Sequence, residues 1–170
     1  MYKVDGNSIG HGGACSNSVS PIVPTPIMLQ QVDSDGVSLI GEPEQMITND
    51  AIDESSVEAP TMLYGAGQGV YFLIYNSGCY IASTYTVRVA TATSLEGPWT
   101  KSTSPFLVTG QTDAQVYIPG GVDVTADGSK IVFHGDLNLG WFIGDGPRIR
   151  GMFAAQAITS GFSVVVGSLF

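Results

Sequence analysis

Short runs rich in β-branched and aromatic residues recur along the whole chain, separated by Gly, Asp and Ser turns. This punctuation constrains the fold more than any other feature. No long window carries the 3.6-residue period of an amphipathic helix, so the chain reads as β almost throughout. The clearest hairpin joins residues 27–32 to 37–40 through Asp33-Ser34-Asp35-Gly36. Its Asp-Gly pair supplies the positive φ that a tight hairpin turn requires. A second joins residues 121–124 to 130–134 through Thr125-Ala126-Asp127-Gly128.

Stacked on one another, the runs form four-stranded units. One comprises residues 58–62, 71–75, 85–92 and 99–101, and the next comprises 120–124, 131–134, 151–157 and 162–166. Equivalent points lie roughly 60 residues apart, the spacing of propeller blades rather than of solenoid repeats. Tyr2-Lys3-Val4 with residues 27–32 and 37–40 makes an earlier unit that lacks its first strand. The expected fold is therefore all-β, about two and three-quarter four-stranded blades of a propeller in one domain. Its divisions are 1–48 as a partial blade, 49–110 as the blade carrying Glu58, and 111–170 as the last blade. An open arc of this kind exposes the faces of its end blades, so a homo-oligomer that closes those edges is expected.

The 170 residues are long enough to bury a sizeable core, and 44% apolar with only 12% charged residues excludes a disordered chain. A net charge of −9 argues against nucleic acid or an anionic membrane surface as partner, and suits a neutral ligand such as a carbohydrate. No apolar run approaches the roughly 18 residues of a membrane span, and the first residues lack the apolar stretch of a signal peptide. The two cysteines, Cys15 and Cys79, lack zinc-site spacing, leaving one disulfide or two separate thiols.

Glu58 sits in Ser55-Ser56-Val57-Glu58-Ala59-Pro60, after the acidic stretch 50–54. A carboxylate at a strand entrance serves either as an acid-base group or as a cap on backbone N–H groups. Tyr75, Tyr80 and Tyr85 cluster near the loop that follows; aromatic faces stack on sugars, and they also fill cores. Tyr75 and Tyr80 are the candidate substrate-binding aromatics, and His134 is a third candidate contact. One His without a second protein ligand is weak ground for a metal. Arg148 and Arg150 are two of only six basic residues, fit to pair a carboxylate or to bind a sugar hydroxyl.

Seven stretches together resemble the later part of glycoside hydrolase family 43, nearest its fungal arabinofuranosidase-like members. They are residues 3–10, Pro24-Thr25-Pro26-Ile27, Val57-Glu58-Ala59-Pro60, Gly97-Pro98-Trp99-Thr100-Lys101, Pro119-Gly120-Gly121, Val132-Phe133-His134-Gly135 and Arg150-Gly151-Met152-Phe153-Ala154-Ala155. The resemblance implies a five-bladed propeller that cleaves arabinosides or xylosides with inversion. It implies an Asp base, an orienting Asp and a Glu acid, and assigns the acid to Glu58. Both Asp residues would precede Met1 in the family order, which implies an N-terminally truncated member; Asp5, Asp50, Asp53 and Glu54 are the loop carboxylates that could substitute. It further implies a carbohydrate or small-molecule ligand, secretion, and no required cofactor, with a central cation near His134 as the one optional ion. The alternative is a binding, assembly or repurposed module on the same scaffold.

Overall fold

A computed structural model describes residues 1–3, 12–111, 116–137, 147–160 and 163–169. Among the described residues eleven strands form three antiparallel sheets. The first sheet contains β1 (Tyr2–Lys3), β2 (Ile27–Val32) and β3 (Leu39–Ile47) in that order. The second contains β4 (Val57–Gly65), β5 (Val70–Ser77), β6 (Thr86–Ala92) and β7 (Thr100–Lys101). The third contains β8 (Tyr117–Val124), β9 (Lys130–Asp136), β10 (Arg150–Ser160) and β11 (Ser163–Leu169). The all-β expectation holds among the described residues, where a three-residue 3₁₀ turn at Ala14–Ser16 is the one helical element. Among the described residues no helix is long and apolar enough to cross a membrane.

Strand extents depart from the sequence pattern where turn and strand chemistry compete. The strand expected at 37–40 begins at Leu39 and runs on to Ile47, through Gly41 and Pro43. Asp35 captures the amides of Val37 and Ser38 at 2.8 Å each, holding those two residues in the turn. Gly36 takes φ 72 there, as the Asp-Gly pair predicts.

The second sheet is packed on both faces. Toward the first sheet, Val57, Leu73, Tyr75 and Ala90 meet Ile27, Met46 and Ile47. Toward the third, Phe72, Ile74, Val87 and Val89 meet Val122, Ile131 and Phe133. The near-continuous apolar run of β5 follows from this, since a strand covered on both faces has no solvent side. On the third sheet the Phe133 and Phe153 rings stack 5.6 Å apart on the covered face. The alternate positions Val132 and Met152 lie on the opposite face and are 43% and 82% exposed.

Edge strands β1, β4 and β8 lie side by side, β4 in the middle. Cys15 and Cys79 form a disulfide with Cα atoms 5.6 Å apart, which settles the two readings of the cysteines and ties the 12–23 segment to the end of β5. His11 and Asp5 lie outside the described residues.

Candidate active site

The approach to Glu58 is held from three directions. Asn17, fully buried, donates to the Ser55 carbonyl at 2.7 Å, Val57 N donates to Thr25 Oγ1 at 3.0 Å, and Ser56 exchanges two bonds with Gly78. Glu58 then pairs with Asn76 across β4 and β5, but the next matched pair is Thr61 with Ile74. The extra residue is a bulge in which Ala59 takes φ 48 just before Pro60. A left-handed conformation costs an L-residue about 1–2 kcal/mol, and a following proline excludes the right-handed alternative. Bulges bend a strand and re-aim a side chain. Here the bulge lies next to Glu58, which is half-buried.

β8 repeats the device 59 positions on, with Ile118 at φ 48 before Pro119 and a register shift between Tyr117 and Gly120. Asn76 binds this second bulge: its Oδ1 accepts the Gly121 N–H at 2.7 Å and its Nδ2 donates to the Pro119 carbonyl at 3.3 Å.

Tyr85, buried at the end of the turn that starts at Cys79, donates its hydroxyl to Glu58 Oε1 at 2.6 Å. Burial, and then the Glu58 anion, push this phenol well above its ordinary value. Beyond it lies Asp136, fully buried at the end of β9. Arg148 Nε donates to both of its oxygens at 3.0 and 2.8 Å, and Arg150 Nε stands 3.2 Å from Oδ1. Arg150 Nη2 also donates to the Ile118 carbonyl at 3.0 Å, and Arg148 Nη2 to the Tyr80 carbonyl at 2.9 Å. Both guanidiniums act electrostatically on Tyr85 and on His134. Two arginines thus share one buried carboxylate.

Of the residues singled out from sequence, Glu58, Tyr85, Arg148 and Arg150 come together, with Tyr80 and His134 beside them. Tyr80 is 49% exposed and lies under the Arg148 guanidinium, 5.6 Å from ring centroid to Cζ. His134 is half-buried against Gly121; burial, then Arg150, hold its pKa below the ordinary value, and its buried Nδ1 meets no partner among the described residues. Tyr75 is placed elsewhere. It is fully buried between the first and second sheets, where burial and the nearby Asp53 anion raise its phenol. Neither its hydroxyl nor Asp53 Oδ1 closes a hydrogen bond among the described residues. The loop carboxylates are engaged too: Asp50 and Asp53 pair with Lys101, and Glu54 accepts from Thr84. No group of three or more His, Cys, Asp or Glu side chains among the described residues could hold a metal ion.

Asn76 and Asp136 were not singled out from the sequence, and Gly120 appeared there only as part of a family stretch, without a role in the site. A faint signal was present in each case: an amide closing an apolar strand, a Pro-Gly-Gly inside a strand, and an acid ending one. Buried polar groups of this kind require partners, and the partners are remote in sequence.

A half-buried carboxyl beside a phenol donor and two guanidiniums can exchange a proton with a bound ligand and stabilise negative charge. The chain resembles a crystal structure of an endo-1,4-beta-xylanase from Bacteroides thetaiotaomicron, with a TM-score of 0.68 and 26% identity over 85% of this chain and 51% of that one. A thermostable family-43 glycoside hydrolase gives 0.67 and 24% over 90% and 51%. An alpha-L-arabinofuranosidase from Lactobacillus brevis gives 0.63 and 16% over 89% and 48%; these last two likenesses are of fold. The chain spans about half the length of these solved structures. No curated protein sequence matches it. The family model for glycosyl hydrolases family 43 matches residues 17–150, most of the chain, and the chain belongs to that family.

Proposed function

We propose that the chain is part of a propeller glycosidase of the arabinofuranosidase or xylosidase type, acting on arabinose- or xylose-containing glycans with Glu58 as general acid. The observation that carries this reading is the placement of Glu58: half-buried, next to a strained bulge on the middle of three adjacent strands, with the Tyr85 hydroxyl on one oxygen. The three sheets are read as consecutive blades of a five-bladed propeller, the first lacking a strand. The xylanase and arabinofuranosidase relatives support the substrate class. Secretion is part of the proposal, supported by the Cys15–Cys79 disulfide, since such bonds persist in oxidising compartments.

Inversion requires a base on the far side of the sugar, about 6.5–9.5 Å from the acid. Asp136 is a poor candidate, because its oxygens are committed to two arginines and it is closed to water. In this proposal the base comes from further propeller sheets, in the same polypeptide or in a second one. The commitment of the nearby carboxylates favours one alternative, a module that binds glycans without cleaving them.

The test is release of nitrophenol from aryl arabinofuranosides and xylosides by wild type and Glu58→Gln, with sugar binding followed in parallel. Turnover lost in Glu58→Gln supports the proposal. With those further sheets present, binding without turnover selects the alternative, and absence of both removes the carbohydrate reading altogether.

A further inference from the structure

Asn76 is a fully buried amide in β5, and it reaches out of its own sheet. One of its three side-chain bonds stays local, to the Thr86 carbonyl at 3.3 Å. The other two cross to β8 and bracket Gly120, one on Pro119 and one on Gly121. At Gly120 there is no room for a side chain: a Cβ would lie 2.6 Å from Tyr85 Cε1 and 2.7 Å from Asn76 Nδ2. The Gly120 main chain is thus the surface against which the Tyr85 ring rests, and that ring presents its hydroxyl to Glu58 at 2.6 Å. In the strand ladder Asn76 is also the Cα partner of Glu58. The β8 bulge, with positive φ at Ile118 and Gly121, lies between ladder pairs, so its amides and carbonyls need partners from elsewhere.

We propose that Asn76 is a positioning residue, whose amide locks the β8 bulge against Tyr85 and thereby fixes the phenol on Glu58. The inference rests on the reading of Glu58 as the centre of the site. Neither Leu nor Ala can take the role, because it needs one acceptor and two donors on a single short side chain.

The test follows the two buried phenols by NMR of ring-labelled tyrosine between about pH 8 and about pH 11, using Tyr85→Phe and Tyr75→Phe to assign them. In the wild type both remain protonated. In Asn76→Ala, Tyr85 is expected to ionise within this range, where the wild-type phenol keeps its proton, as its enclosure opens and Glu58 recedes. Tyr75, outside the reach of Asn76, keeps its wild-type behaviour. Gly120→Ala sets a Cβ against both the Tyr85 ring and Asn76 Nδ2, so it breaks the same contact from the β8 side, gives the same selective response and serves where Asn76→Ala does not fold. An unchanged Tyr85 in a folded variant, or an equal response at Tyr75, overturns the proposal. The readout needs no turnover. A chain without glycosidase activity whose Tyr85 responds selectively therefore keeps the positioning role and loses only the catalytic one.

Discussion

At the scale of single residues, the two buried tyrosines link stability to alkaline pH. Both phenols are pushed above 10 in the folded chain, chiefly by burial. Above about pH 10 the unfolded chain loses these protons while the native chain keeps them, so stability falls by about 1.4 kcal/mol per pH unit per tyrosine. Tyr85→Phe is expected to halve that slope in urea unfolding between about pH 10 and about pH 11; an unchanged slope would place Tyr85 in water. His134 works on the acid side. Its pKa is held below 6.5, so the native chain resists a proton that the unfolded chain accepts, and stability falls as pH drops through 6.5. His134→Gln should flatten that acid limb of the Tm-against-pH curve, and a curve that keeps its wild-type slope would count against it. Glu58 was legible in the sequence through the stretch Val57-Glu58-Ala59-Pro60, and the arginines as two of only six basic residues. The lodging of Tyr75 in the core was not, because its strand is covered on both faces and strand chemistry looks the same for a core and a cleft aromatic.

At the scale of elements, the paired bulges of β4 and β8 store backbone strain next to the site. Ala59→Gly removes the Cβ penalty at φ 48 and is expected to stabilise the chain by up to about 1 kcal/mol, offset by the larger entropy of an unfolded glycine. Thermal unfolding measures this, and a clear loss of Tm would show that Ala59 is not strained. The disulfide closes a loop of 64 residues, so Cys15→Ser is expected to cost about 4 kcal/mol in chemical unfolding by the loop-entropy relation. Strands and hairpins were legible because period-two patterning and Asp-Gly turns are local signals. Their ends were less so: the capture of two amides by Asp35 shortens β3 at one end, and pairing with β2 carries it on to Ile47.

At the scale of the whole molecule, the two ends differ from the middle. The second sheet is covered on both faces, whereas Val132 and Met152 on the third, with Leu39 and Ile40 on the first, remain exposed. Exposed apolar side chains on end sheets favour association, and a homo-oligomer that covers them is expected. Light scattering at micromolar concentration checks this, with Met152→Lys expected to weaken association; a stable wild-type monomer would remove the idea. The sequence by itself determined the all-β class, the hairpins, the near-regular repeat and the family, since each is written in neighbouring residues or in the order of short stretches. Only the tertiary structure decided which residues meet. Asn76 and Gly121 are far apart in the chain, as are Tyr85 and Glu58, and Arg148 and Tyr80, yet each pair is bonded. Such contacts follow from how turns fold over a sheet and how neighbouring sheets pack, and a partner remote in the chain leaves no period in the sequence to announce it.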